Sequence, residues 1–248
     1  MKSERSYILT YHSLDDTGSV ISMPLQAFRA QMDWLAASGI PIVPLSDIRD
    51  TPGAVAITFD DGFRNFFEHA FPVLQRYRFP ATVFVVTGYC GGRNDWPSQP
   101  LRPVIPKLDL MDWSEIGLIA EAGISLGSHT ATHPRLNRLS EADVEIELCH
   151  SRAILEDRTG KAVDAFAYPY GDSTPAVRRA VARYFGYACS TELGFVSRGS
   201  DPFSLPRIDG YYLRNKLWFR GLSGRYGAAY VAARRSLHGL RHRFVPNP

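Results

Sequence analysis

Val55-Ala56-Ile57-Thr58-Phe59-Asp60-Asp61-Gly62 is an apolar, β-branched run that ends in two adjacent carboxylates. The turn pair Pro52-Gly53 precedes it, so residues 55–59 are predicted to form a buried strand. Neighbouring aspartates at a strand end repel one another, and both ionise comfortably only with a cation or a cationic side chain between them. A metal site that takes one carboxylate as ligand and the other as proton acceptor accounts for the pair. Asp-Asp-Gly by itself is equally compatible with a plain turn.

Further along, Ile124–Ser128 reads as another short strand, running into His129-Thr130-Ala131-Thr132-His133-Pro134. Histidines four apart share one side of a helical turn, which predicts both rings aimed at one ion. Two imidazoles with a carboxylate suit zinc or a similar divalent metal and leave positions open for water and substrate. A third stretch, Phe166-Ala167-Tyr168-Pro169-Tyr170-Gly171, is predicted to be a short strand ending in a rigid Pro and a permissive Gly. Backbone of that kind can aim an N–H at a developing oxyanion.

Together, in this order, the three stretches resemble the first three motifs of the NodB-homology polysaccharide deacetylases, carbohydrate esterase family 4, over about residues 5–210. The resemblance implies Asp60 as general base and Asp61, His129 and His133 as metal ligands. It also implies that the backbone N–H of Tyr170, next to Pro169, stabilises the oxyanion. Two departures stand out. The Arg that many members carry in motif three, paired with the catalytic Asp, is replaced here by Ala167. Arg207, in Phe203–Ile208, is a candidate substitute, with a surface salt bridge as the alternative. The usual C-terminal Leu-x-His is absent, and the late histidines, His238 and His242, lie in an arginine-rich tail. The first predicted strand, Tyr7–Ser13, instead carries His12 at its end. This is similar to a permuted branch of the family in which an N-terminal Tyr-His supplies the general acid.

Composition agrees with one ordinary folded unit. The chain has 248 residues, 45% hydrophobic and 21% charged, which suits a single α/β barrel. Three widely spaced cysteines, Cys90, Cys149 and Cys189, fit a reducing compartment better than a disulfide framework. The start runs straight into the first strand, and no apolar run is long enough to span a membrane. A cytoplasmic protein, at most at the inner membrane face, is expected.

Strand and helix patterns alternate. Helices are predicted at Pro24–Ser38, 64–78, Trp113–Ala122, 140–160 with Ser140 as N-cap, and 175–185; further strands at Ala81–Val86, 186–190 and 204–208. Regular alternation implies parallel strands with covering helices, and all three motifs fall at strand carboxyl ends, where such barrels place their chemistry. The expected fold is α/β, a distorted, incomplete (β/α)7 barrel. Residues 1–248 are expected to form one deacetylase-like domain with 211–248 as a basic amphipathic extension. Residues 87–112, rich in Gly and Pro, are expected to be a functional loop whose Tyr89 and Trp96, with Trp113 just beyond, can stack on a sugar ring.

After Asp209 there is no acidic residue, while eight Lys and Arg side chains alternate with Leu217, Trp218, Phe219, Leu222, Tyr226, Tyr230 and Val231. The whole chain carries only +3, so the remainder is net acidic. Such a segment either packs as a last helix with a solvated basic face or meets an anionic membrane. No nucleic-acid reading motif is present, and no nucleic-acid partner is expected.

The activity these observations imply is metal-dependent removal of an N-acetyl group from an amino sugar in a polysaccharide, oligosaccharide or lipid-linked glycan precursor. Zn2+ is the expected ion, with Co2+ or Ni2+ as alternatives. Two other readings stay open: a non-catalytic carbohydrate-binding barrel, and a deacetylase of O-acetyl esters.

Overall fold

Seven parallel strands form the centre: β1 (Tyr7–Tyr11), β2 (Val55–Phe59), β3 (Thr82–Val85), β4 (Ser125–Ser128), β5 (Ala165–Ala167), β6 (Tyr187–Leu193) and β7 (Leu205–Asp209). They run in sequence order around a ring that β1 and β7 close, with Leu9 opposite Ile208 and Thr10 opposite Asp209. The computed structural model describes residues 5–102, 104–222, 224 and 226–244, without the side chains of 236–244. The expected seven-stranded α/β barrel is present. Its distortion is concentrated between β6 and β7, where the register shifts between Cys189 and Leu193. Among the described residues, seven α-helices follow the strands: α1 (Leu25–Ser38), α2 (Phe71–Tyr77), α3 (Trp113–Glu121), α4 (Glu141–Thr159), α5 (Pro175–Tyr184), α6 (Lys216–Gly221) and α7 (Gly227–Phe244).

β1, β2 and β3 are buried on both faces, yet the faces differ in size. Side chains alternate along a strand, so Ile8, Ala56, Phe84, Ala165, Ala167, Cys189 and Leu205 cluster inside the ring. The larger Tyr7, Leu9, Tyr11, Val55, Ile57, Phe59, Val83 and Phe166 pack outward against the helices. Phe84 is the large fully buried ring of this cluster, and it fits because Gly127 faces it. A Cβ on Gly127 would lie 2.4 Å from Phe84 Cδ1. The same alternation carries Thr58, Asp60, Arg207 and Asp209 to the carboxyl end of the ring.

Helix ends follow local chemistry. Ser140 caps α4 through Asp143 N, and Gly160 ends it at φ 64°. Asp112 and Glu115 form a capping box at α3. On α1, Phe28, Met32 and Leu35 are fully buried, each worth roughly 1.5–3 kcal/mol of apolar burial. Gln31 on the same face accepts from Tyr11 Oη at 2.6 Å and donates to Leu213 O at 2.9 Å, tying α1 to β1 and to the chain after β7.

Three local expectations are corrected. Residues 64–78 are not one α-helix: Phe66–Ala70 is a π-helical turn and α2 starts at Phe71. Pro72 lacks an N–H and crowds the preceding turn, which a wider turn relieves. Residues 129–133 form no helical turn. Thr130 and His133 have φ of 68° and 56°, so the two rings converge from a loop bent through left-handed backbone. The strand at 166 ends at Ala167, and Pro169–Gly171 is a 3-10 turn with Tyr170 at φ 59°. The 87–112 segment, expected to be a functional loop, is pinned by a 3-10 turn at Thr87–Tyr89 and by the Phe63–Leu110 and Arg93–Asp109 bridges.

Candidate active site

The carboxyl-end segments of β1, β2, β4 and β5, with Thr191 of β6, surround a cavity of about 220 Å3. His12, Asp60, Asp61, His129, His133, Tyr168, Tyr170 and Trp96 all line it. The register Tyr11–Phe59 continues by one residue, with Asp60 N donating to Tyr11 O, and this sets His12 beside Asp60.

The two adjacent aspartates divide their surroundings. Asp61, at φ 70°, turns back so that its Oδ1 lies 3.4 Å from Nε2 of both His129 and His133. The three ligand atoms lie within 4.8 Å of one another, and all three residues are buried. His129 Nδ1–H donates to Ala167 O at 2.8 Å, which orients the ring and turns Nε2 toward Asp61. A carboxylate oxygen and two imidazole nitrogens in this spacing fit a divalent metal. Burial pushes the Asp61 carboxyl up, but hydrogen bonds and charge from the two histidines outweigh it and hold it well below the ordinary range. His133 is held below its usual value, chiefly by burial. For His129 burial also works against the charged form, yet the hydrogen bond to Asp61 and the two carboxylates raise it.

Asp60 faces a permanent cation. Arg207 Nη1 and Nη2 donate to its two oxygens at 2.6 and 2.7 Å, a bidentate pair in which both partners are buried. Arg207 Nε is anchored on Ser190 O at 3.0 Å. Burial pushes the Asp60 carboxyl up, and Arg207 more than offsets this, so Asp60 titrates below its ordinary value. The guanidinium contact that Ala167 cannot make is therefore made from β7. A surface salt bridge for Arg207 is ruled out by its 2% exposure. His12 Nε2 lies 3.7 Å from Asp60 Oδ2 and remains partly open to the cavity.

A sequence profile of the polysaccharide deacetylases matches residues 47–190 of the chain. The chain belongs to the polysaccharide deacetylase family. Among its relatives, the poly-β-1,6-N-acetyl-D-glucosamine N-deacetylase of Staphylococcus aureus is 27% identical over 207 residues, covering 75% of this chain and 67% of that protein. The crystal structure of a polysaccharide deacetylase from Bacillus cereus superposes with a TM-score of 0.69 at 27% identity, over 83% of this chain. This chain spans only 64% of that protein. IcaB from Ammonifex degensii shares the fold, with a TM-score of 0.71 at 24% identity, over 85% of this chain and 95% of its own.

Within this deacetylase-family barrel, the predicted aromatic wall is rearranged. Trp113 does not line the cavity; it opens α3 and lies beneath the Arg158 guanidinium, 5.7 Å from the ring centroid. It is the first helical residue after the N-cap Asp112, so its place is set by α3. Trp96 takes the wall position, but 3% exposed and stacked on His133 with ring centroids 4.3 Å apart. Tyr89 packs edge-on behind it. Tyr170 lines the cavity, its ring 4.7 Å from His133 and beneath Arg135, whereas Pro169 is buried and does not line it. The side chains of His238 and His242 lie outside the described residues.

Asp209 is a residue the sequence reading passed over. It sits across from Thr10 and near His12, whose charge pulls its titration down while burial pushes it up, with a net rise. Its signal was present: Arg207 and Asp209 are two apart on one strand, so both point to the same side.

Proposed function

We propose that the chain is a metal-dependent carbohydrate N-deacetylase, a hydrolase of amide C–N bonds. Its proposed substrate is an N-acetylated glucosamine polymer or its precursor. One observation carries the reading most: Asp61, His129 and His133 converge within 4.8 Å beside the Asp60–Arg207 pair in a chain of this family. The S. aureus relative, named for poly-β-1,6-N-acetyl-D-glucosamine, supports the choice of sugar.

Asp61, His129 and His133 would hold the ion, Zn2+ by the borderline character of the donor set, with Co2+ and Ni2+ as substitutes. A divalent ion bound there supplies Lewis acidity toward the acetyl carbonyl and favours deprotonation of water. Asp60 takes the proton of the attacking water. Arg207 keeps Asp60 ionised and fixes its orientation. The backbone N–H of Tyr170 faces the oxygen that becomes negative as the carbonyl carbon turns tetrahedral. His12 gives a proton to the departing amine, a task suited to an imidazole, which lends and recovers protons near neutral pH. The products are acetate and the free amino sugar.

The test is acetate release from N-acetylated and O-acetylated oligosaccharides in the presence of Zn2+, Co2+ or Ni2+. N-acetyl substrates should be cleaved. His12→Ala should lose on the order of 10²–10⁴ in kcat with metal content intact. Full activity in His12→Ala would remove the proposed acid.

Peripheral contact with an anionic membrane extends the proposal. Leu217, Trp218 and Tyr226 are 79%, 49% and 72% exposed, in a segment with Lys216 and Arg220 and no acidic side chain after Asp209. No helix among the described residues is long and apolar enough to cross a membrane. Cys90, Cys149 and Cys189 are free thiols, which supports a reducing, cytoplasmic setting.

A further inference from the structure

His129 and His133 are held in different ways. The His129 ring is oriented by its own Nδ1 bond to Ala167 O. His133 Nδ1 is buried with no hydrogen-bond partner among the described residues, so no such bond orients this ring. Its backbone is also left-handed at φ 56°, a conformation that costs a residue with a side chain about 1–2 kcal/mol. Something else must keep Nε2 facing Asp61.

The 129–133 loop is gripped from two directions. From α4, Glu147 accepts from Ala131 N at 2.8 Å and Thr132 N at 2.9 Å. From the 87–112 loop, Ser98 Oγ donates to the carbonyl of His133 itself. Ser98 is locked in turn: its Oγ lies 3.0 Å from Tyr170 Oη, which donates to Ser98 O at 3.0 Å and accepts from Trp96 Nε1 at 3.2 Å. Trp96 lies over the His133 ring at 31°. Asn94, Gln99 and Pro100 of the same segment line the cavity.

We propose that Ser98 is a positioning residue for His133, and that the 94–100 segment thereby sets the metal affinity of the site. The inference rests on the reading that Asp61, His129 and His133 hold a divalent ion. Ser98 fixes the carbonyl of the ligand residue, and Trp96 and Tyr170 pack against its ring. Loss of the Ser98 hydroxyl frees the backbone to relax from the left-handed region, and the ring swings off the Asp61 axis. The protein body, held by the barrel, is unaffected.

The experiment is Zn2+ affinity by competition with a chromophoric chelator, with the Co2+ absorption spectrum as a second readout and metal-free thermal unfolding as control. Ser98→Ala should bind Zn2+ about 10–100-fold more weakly, the range for outer-shell partners of metal ligands. Its Co2+ spectrum should shift while its metal-free melting stays that of the parent. Ser98→Thr, which keeps the hydroxyl, should restore binding. Trp96→Phe, which keeps a ring but loses the Nε1–H, should weaken Zn2+ binding at unchanged metal-free stability, and it decides the matter if Ser98→Ala does not fold. If the parent protein binds no divalent ion, the metal reading fails first. If the parent binds and Ser98→Ala binds equally well, the positioning role is overturned. It is also overturned if affinity and metal-free stability fall together, because Ser98 would then be only structural.

Discussion

Arg207 decides how Asp60 can work. Buried beside a second carboxylate, Asp60 would otherwise be pushed toward the protonated form; the bidentate guanidinium reverses this and holds it below its ordinary value. Arg207→Met removes that charge while burial remains, so Asp60 should protonate at higher pH and the acid limb of kcat/KM should move upward. An unmoved limb would mean that Arg207 does not tune the base. The stability consequence has a definite sign. A carboxyl whose native pKa is depressed contributes stability that is whole above the unfolded value near 4 and drains away as pH falls through the native value. The variant leaves a buried charge unpaired, which costs about 3–5 kcal/mol at neutral pH. The gap between the two proteins in urea unfolding should therefore narrow as pH falls from the raised native Asp60 value of the variant to the depressed one of the parent.

At the scale of elements, the site depends on small residues inside the ring. Gly127 makes room for Phe84, and Arg207 lies 5.7 Å from the Phe84 ring centroid. Gly127→Ala should destabilise by about 1–3 kcal/mol through overpacking, and Phe84→Leu in the same chain should recover part of it. Equal stability of Gly127→Ala and parent by thermal unfolding would show that the ring gives way freely. The strands and most helices were legible because their periodicity and caps are local signals. Ser140, Gly160 and the run from Val55 to Phe59 sit where the sequence puts them. The His129–His133 turn was misread as helical because spacing reports that two rings converge without reporting the backbone that brings them together. The loop that contains left-handed Thr130 and His133 is held by tertiary hydrogen bonds, with Ala131 N and Thr132 N donating to Glu147 and Ser98 Oγ donating to His133 O, which no local pattern encodes. Trp113 is expected at the sugar from its ring alone, although the helix predicted to begin at this residue already commits it to α3, where it lies under Arg158.

At the scale of the whole molecule, charge and exposed apolar groups are segregated. Leu217 and Trp218 project from α6, which follows β7 and therefore leaves the barrel on the side of the cavity. Vesicles of phosphatidylglycerol should sediment the protein, with binding weakened by salt and by Leu217→Glu with Trp218→Glu. Equal sedimentation with neutral phosphatidylcholine vesicles would contradict an electrostatic contact. The proposed chemistry, in contrast, rests on one ion that Asp61, His129 and His133, far apart in sequence, would hold together. The most direct measurement is acetate release from N-acetylated β-1,6-linked glucosamine oligomers by chelator-stripped protein titrated with Zn2+. The expected result is no activity without metal, full recovery at one equivalent per chain, and no recovery in Asp61→Ala. Undiminished acetate release from the stripped protein, or full recovery in Asp61→Ala, would contradict a catalytic metal at Asp61, His129 and His133.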